Sequence, residues 1–153
     1  MSRSGYIEDG DYDQWNLIRY RGAVNSAFKG KRGQAFLKEM LAALDALPEK
    51  RLIKNDLETR QFITYSHWGM IEIEAVCAIG AVGKARGLDM SKLDPEDSVT
   101  VASTFNIAES MAREIVFEND EGDYWGKETP EQLYDRMRRF VVASIKQPKD
   151  DTP

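Results

Sequence analysis

Residues 13–47 read DQWNLIRYRGAVNSAFKGKRGQAFLKEMLAALDAL, and this stretch decides the fold class. Its first half, from Trp15 through Ile18 and Ala23 to Phe28, carries apolar residues near the 3.6-residue period of an amphipathic helix. After a break at GKRG, apolar residues recur every three or four positions and stop before Pro48. Because the link is so short, the stretch predicts two helices packed as a hairpin or corner.

The next segment changes to a β-type pattern. Phe62–Tyr65 is β-prone, Met70–Glu74 alternates with period two, and Leu52 and Ile53 are β-prone as well. These residues predict a small hairpin or a three-stranded ribbon, with Gly69 in the turn. Residues 75–86 then predict a helix that ends at Gly87. Its interior glycines, at 80 and 83, indicate close approach of another helix.

Three further helices are indicated by their end signals. Asp94-Pro95-Glu96-Asp97 is typical of a helix start, with Asp94 as the N-cap and Pro95 at the first helical position, and that helix runs to about Phe105. Asn106 suits the left-handed conformation that turns the chain into another helix over 107–117, which an acidic loop over 118–123 follows. Thr129, with Pro130 and Gln132, forms a capping-box signature that opens the last helix.

Together these patterns predict a mainly α protein. We expect a compact bundle of about five helices, with a small β-hairpin or ribbon near residues 51–74. The 153 residues suit one domain, 1–153, with loose ends over 1–12 and 147–153. Cys77 is the only cysteine, and no stretch approaches the roughly 18 apolar residues of a membrane span. We therefore expect a cytoplasmic protein with no membrane contact and no cofactor.

Charge is distributed unevenly along the chain. Residues 15–60 hold ten Lys and Arg against five acids, whereas residues 61–153 hold ten against seventeen, and the net charge is −5. The basic residues of the first two helices are a candidate surface for an anionic partner: Arg19, Arg21, Lys29, Lys31, Arg32 and Lys38. The simpler interpretation is that the two halves pair with each other or that these cations are merely solvated.

Residues 100–115, TVASTFNIAESMAREI, resemble a DNA-binding helix-turn-helix. The pattern is typical of any two helices that meet at a corner. A major-groove reader needs cations for phosphates and donors for base edges. The second helix instead presents Glu109, Ser110, Arg113 and Glu114, so a structural corner is the stronger interpretation.

No catalytic set is recognisable in the chain. Carboxylates at 114, 118, 120 and 123 would suit a divalent metal, but they do not fall at EF-hand offsets, so a solvated loop is favoured and no metal site is predicted. His67, the single histidine, and Cys77 offer one nucleophilic pairing, yet Cys77 is expected to be buried and inert. Three aromatic residues are candidate interface anchors: Trp68, Tyr124 and Trp125.

The pattern CAIGA at 77–81, AREI at 112–115, Asn119-Asp120 and TPE at 129–131 resembles small helical proteins of unknown function from tailed bacteriophages and prophages. The resemblance implies no activity and no catalytic residue. We therefore expect a phage-type accessory protein that binds a host or phage protein, for example as an inhibitor of a host defence system such as CRISPR. The alternatives are a nucleic-acid-binding regulator, acting through the basic helices or the corner, and a metal-dependent hydrolase.

Overall fold

The first two helices form the predicted hairpin. The computed structural model describes residues 14–65, 69–123 and 125–148. In it α1 spans Gln14–Lys29 and α2 spans Lys31–Ala46, with Gly30 as the only residue between them. A Cβ at Gly33 would overlap the carbonyl oxygen of Ala27, so only glycine allows the two helices to meet this closely. The C-cap of α2 is Leu47, immediately before Pro48, as the sequence predicts.

Only part of the apolar stripe predicted for α1 packs against the rest of the protein. Val24 is the one fully buried residue of the helix, whereas Trp15 is 71% exposed and Ile18 is 51% exposed. The inward face instead includes Phe28, whose ring meets that of Phe140 edge-on at 6.0 Å. Because α1 packs on α2 and α5 along this face alone, the residues on its opposite side stay exposed.

The β-segment is a two-stranded antiparallel hairpin. Strand β1 spans Glu58–Tyr65 and β2 spans Gly69–Val76, in a register that runs from Glu58 opposite Val76 to Tyr65 opposite Gly69. Gly69 has φ of +86°, the conformation that a turn glycine provides. A third strand at residues 52–53 does not form, although the Ile53 amide donates to the Val76 carbonyl at 3.0 Å. The hairpin alternative is therefore confirmed.

Four more helices complete the described part of the chain: α3 Ala78–Arg86, α4 Ser98–Phe105, α5 Glu109–Glu121 and α6 Pro130–Ser144. Several predicted ends are confirmed. Gly87 ends α3 with φ of +70°, and Asn106 ends α4 with φ of +55°. The Thr129 capping box opens α6, with the Gln132 amide donating to the Thr129 hydroxyl at 3.2 Å.

Three predicted boundaries are wrong for identifiable reasons. Residues 75 and 76 belong to β2, and Cys77 is the N-cap of α3. Asp94 closes a turn by accepting from the Glu96 amide at 2.9 Å, so the N-cap of α4 is Asp97, which accepts from Thr100 at 3.1 Å. Residues 118–121 continue α5 by one more turn and are not a loop.

Helix α5 is the centre of the bundle. It contacts α1, α3, α4 and α6, and none of residues 109–120 is exposed. The close approach at Gly80 comes from the loop before β1, since a Cβ there would overlap the carbonyl oxygen of Leu57, and not from the helix that the sequence suggested. Within the three described ranges, no helix has both the length and the apolar content needed to cross a bilayer.

Candidate functional site

The basic residues of α1 and α2 are all on the outside of the molecule. The six side chains are exposed, and no acidic side chain of the described ranges forms an ion pair with any of them: Arg19, Arg21, Lys29, Lys31, Arg32 and Lys38. We call these six residues the basic hairpin. Within the described residues these six cations form no ion pair with the acidic half of the chain, whereas Lys54, also in the basic half, lies within ion-pair distance of Asp123 and Glu128. The exposure of the six side chains agrees with the alternative that they are solvated.

The two acids of the same helices are already neutralised. Glu39 accepts from Arg86 at 2.6 and 2.7 Å, and Asp45 accepts from Arg138 at 2.7 and 3.3 Å. The hydrogen bond from each arginine holds the pKa of its carboxyl below the usual value. Because both arginines come from other helices, the acids of α2 leave the positive charge of the basic hairpin uncompensated.

Two cations of the basic hairpin lie in the first turn of α2, where the dipole of that helix disfavours positive charge. Gly30 is the N-cap and provides no side-chain hydrogen bond, and the first turn has no acidic residue but begins with Lys31 and Arg32. A helix N-terminus carries a partial positive charge, so cations there are destabilising by tenths of a kcal/mol each. The dipole of α2, taken by itself, therefore disfavours these two cations.

The carboxylates that would suit a divalent metal each contact a different partner within the protein. Glu118 lies 3.6 Å from Arg136, Asp120 accepts from the Asn55 amide at 3.0 Å, and Asp123 accepts from the Glu128 amide at 2.8 Å. The latter bond is the main cause that lowers the pKa of Asp123. In the part of the chain that the structure describes, no group of three or more His, Cys, Asp or Glu side chains is placed to hold a metal ion.

Asn119 has a structural role in the same region. Its side chain is buried, its Oδ1 accepts from the Ala78 amide at 3.2 Å, and its Nδ2 donates to the Ile53 carbonyl at 2.8 Å. The amide therefore caps the start of α3 and secures the segment before β1.

The helix-turn-helix resemblance corresponds to a real corner, but its second helix is enclosed. Asn106 turns the chain between α4 and α5, as expected. Arg113, the only cation of α5, donates to Ser98 at 3.0 Å and lies 2.7 Å from Glu109. Because α5 has other helices around it, it cannot enter a DNA groove without unpacking the core. We assign the corner a structural role.

Cys77 and the aromatic candidates complete the predicted set. The Cys77 thiol is buried and accepts from the Gly80 amide at 3.3 Å, and burial raises its pKa to about 12, so it is a helix cap and not a nucleophile. Trp125 is 78% exposed, in a turn where its amide donates to Asp123 at 3.2 Å. His67, Trp68 and Tyr124 lie outside the described residues.

The sequence interpretation missed two features that bear on function. It placed Trp15 and Ile18 in the packed stripe of α1, although both are more than half exposed. It also took Glu114 as an exposed residue of the helix corner and as a possible metal ligand, whereas the structure buries this carboxylate beside a cleft between α1 and α6. The signal for the first feature was present, since two apolar faces on one short helix exceed what a single packing surface can cover.

The arrangement is that of a scaffold with an exposed, uncompensated basic surface. The carboxylates that would be needed for metal chemistry are apart from one another, and the one cysteine is engaged as a cap. Comparison with known proteins finds no match to this chain among family models, curated proteins or solved structures.

Proposed function

We propose that the protein acts by binding an acidic surface of another protein through the basic hairpin. One observation carries the proposal: all six cations of α1 and α2 are exposed without an acidic partner among the described residues, while Glu39 and Asp45 are bonded to arginines from elsewhere. Unpaired surface charge of one sign is typical of electrostatically complementary interfaces, where it steers encounter and fixes register.

Exposed apolar residues on α1 favour a protein partner over a nucleic acid. Trp15 and Ile18 are exposed next to Arg19, and tryptophan and arginine are the residue types enriched among interface residues with large binding energies. Gly22 continues the same helix face, and nothing lies within 4 Å of the position its Cβ would take. The surface therefore combines an apolar centre with cations around it.

The distribution of charge supports the same choice. Arg19 and Arg21 are two positions apart, so they point about 200° from each other around the α1 axis. A protein that tracks a phosphate backbone needs its cations along one groove. The net charge of −5 also repels a long polyanion beyond the immediate surface. A protein partner that contacts the side of α1 that carries Trp15, Ile18 and Arg19, and not all six cations at once, suits this arrangement better.

The resemblance to small phage proteins supports a more specific version of the proposal. In that version the protein is a phage accessory product, and its acidic partner belongs to the host, for example to a defence complex such as a CRISPR effector. Inhibition by occupancy needs a stable contact surface and no catalytic group in the inhibitor. An effector surface that normally faces other macromolecules would be the site of contact.

The proposal is tested by placing a photo-crosslinking residue at Gly22, in the full chain, and irradiating it in host lysate. We expect one dominant crosslinked protein, whose yield falls at least about tenfold in K31E/R32E and falls with rising salt. The matched control is K127E/R139E, which reverses one exposed lysine and one exposed arginine outside the hairpin. This control should retain the crosslink.

Two results would overturn the proposal. A crosslink that survives K31E/R32E unchanged would remove the basic hairpin from the interface. Crosslinks that disappear on nuclease treatment, together with salt-dependent retardation of labelled DNA or RNA by the wild type, would show that the partner is a nucleic acid. In that case the regulator hypothesis would replace the protein-binding one.

A further inference from the structure

One side of α1 is exposed along almost the whole length of the helix. Six exposed residues, which recur every three or four positions, form this side: Trp15, Ile18, Arg19, Gly22, Ser26 and Lys29. Because successive residues of an α-helix are turned by about 100°, these six share one stripe about 100° wide, and the buried Val24 lies on the opposite side. We call the stripe the outer face of α1; it is about 21 Å long.

The outer face has its large apolar side chains at one end. Trp15 is 71% exposed and Ile18 is 51% exposed, and both belong to the first turns of the helix. Further along, nothing lies within 4 Å of the position that a Cβ of Gly22 would take. The middle of the outer face therefore has room for a side chain of a bound partner.

The charge of α1 is of one sign only. The helix has no acidic residue, and its cations Arg19, Arg21 and Lys29 are exposed and bond no acid of the described ranges. Arg19 and Lys29 lie on the outer face about 15 Å apart along the axis. Lys146 adds a cation near the second of them, since its Nζ donates to the Lys29 carbonyl at 2.7 Å. A complementary partner needs two acidic groups at about this separation, and an apolar group for the end with Trp15.

The backbone of α1 limits the kind of segment that can bind there. A β-strand adds to free backbone groups at a sheet edge, whereas the amides and carbonyls within a helix are bonded to one another. Polyproline segments bind between aromatic side chains, and Trp15 is the one aromatic residue of the outer face. A second helix packs through side chains alone, with its ridges in the grooves of α1 and about 8–10 Å between the axes.

We infer that the outer face of α1 binds an acidic amphipathic α-helix of the partner. Two acidic residues of that helix pair with Arg19 and Lys29, and an apolar residue packs against Ile18. A spacing of about eleven residues returns two side chains to the same side of a helix about 16 Å apart, which matches the separation of the two cations. The inference rests on the proposed function and names the structural class of the segment that the partner contributes.

The test is fluorescence anisotropy of three labelled peptides of about 18 residues, titrated with the full chain. The first is a helix of glutamate, leucine, alanine and glutamine, with two glutamates about eleven positions apart and the leucines on the same side. The second has the same composition, rearranged so that apolar and polar residues alternate as in a strand. The third is the first with lysine in place of each glutamate.

We expect the acidic helix to bind at least about tenfold more tightly than either of the other peptides. Because the net charge of the protein is −5, long-range attraction favours the lysine peptide, so a preference for the acidic helix reports the local surface.

Variants of the outer face identify the residues that make the contact. R19E/K29E should weaken binding of the acidic helix at least about tenfold, and I18D at least about fivefold, while the far-UV circular dichroism stays unchanged. The matched control is R139E, at an exposed arginine of α6, which should bind as the wild type does. The inference is overturned if the three peptides bind equally or not at all, or if folded R19E/K29E and I18D bind the acidic helix with wild-type affinity.

This inference and the proposed function can fail separately. If a protein is crosslinked at Gly22 but the acidic helix is not preferred, the partner binds by another structure and only the inference is lost. If the acidic helix is preferred but no crosslink depends on Lys31 and Arg32, the proposed function is lost and the outer face of α1 keeps its specificity for an acidic helix.

Discussion

Arg136 on α6 and Lys31 on α2 show how differently two regions of the molecule use their cations. Arg136 lies between α5 and the loop before α6, where it bonds Glu128 at 2.7 and 3.1 Å and the backbone carbonyl of Glu118 at 2.5 Å. Lys31 begins α2 at the surface, with no ion pair to the described acids and with the helix dipole against it. One cation holds the fold together and the other slightly opposes it.

The difference separates charges that the fold requires from charges that it only tolerates. In the region of α5 and α6, cations form ion pairs with acids of the loop before α6. Lys54 lies 3.8 Å from Asp123 and 3.7 Å from Glu128, and Arg136 also bonds Glu128. In the basic hairpin the cations bond no acid of the described residues. Charges that do not contribute to stability are the ones that a partner can use, which is why this contrast supports the proposed binding surface.

The greatest loss of stability is expected when Arg136 is replaced. R136A should lower the free energy of unfolding by about 3 kcal/mol, because it leaves Glu128 and two backbone carbonyls at the end of α5 without their donor. Urea denaturation followed by circular dichroism would measure the loss. R139A, which removes an exposed arginine of the same helix, should cost less than about 0.5 kcal/mol. Equal losses for the two variants would show that Arg136 contributes no more to stability than an exposed arginine does.

A smaller effect of opposite sign is expected in the hairpin. K31E/R32E should raise the free energy of unfolding by about 1 kcal/mol, since each change replaces a repelled cation by an attracted anion in the first turn of α2. K38E, in the middle of the same helix, should leave stability within about 0.5 kcal/mol of the wild type. A destabilised double variant would mean that the two cations have a structural role and are not merely tolerated by the fold.

The hairpin variant can be measured for both stability and partner binding. The same K31E/R32E variant should fold more stably and bind its partner less well. That pairing of results is expected only where residues are kept for function at some cost to stability.

The sequence predicts those parts of the fold that depend on neighbouring residues. The ends of α3, α4 and α6 were correct, because Gly87, Asn106 and the Thr129 capping box act within one turn of themselves. The N-cap of α4 was placed at Asp94 instead of Asp97, since both positions carry an acid that can cap, and the choice depends on where the chain enters the core.

The candidate sites depended on contacts between distant residues, which pattern reasoning does not reach. The basic residues of the hairpin were identified, but their lack of partners became clear only when Glu39 and Asp45 were seen bonded to Arg86 and Arg138. Those partners are 47 and 93 positions away. The cleft at Glu114 is made by three helices, so no local motif could predict it.

A still smaller effect is expected for the ion pairs that Glu39 and Asp45 of α2 form with arginines of other helices. The pKa of Glu39 is lowered from 4.5 by its hydrogen bond with Arg86, so the pair contributes stability above about pH 4.5 and loses it as the pH falls through the folded-state pKa. E39Q should therefore be less stable than the wild type by about 0.5 kcal/mol near neutral pH, the usual size for an exposed pair. The deficit should shrink when the pH is lowered from neutral to an acidic value well below 4.5, because Glu39 is then progressively protonated in the folded state as well. D135N, which removes an exposed acid of α6, should show no such change in urea midpoints measured at both pH values. An E39Q deficit that persists in acid would show that the carboxylate of Glu39 acts through packing and not through charge. The ion pair with Arg86 would then not be what neutralises this acid of α2.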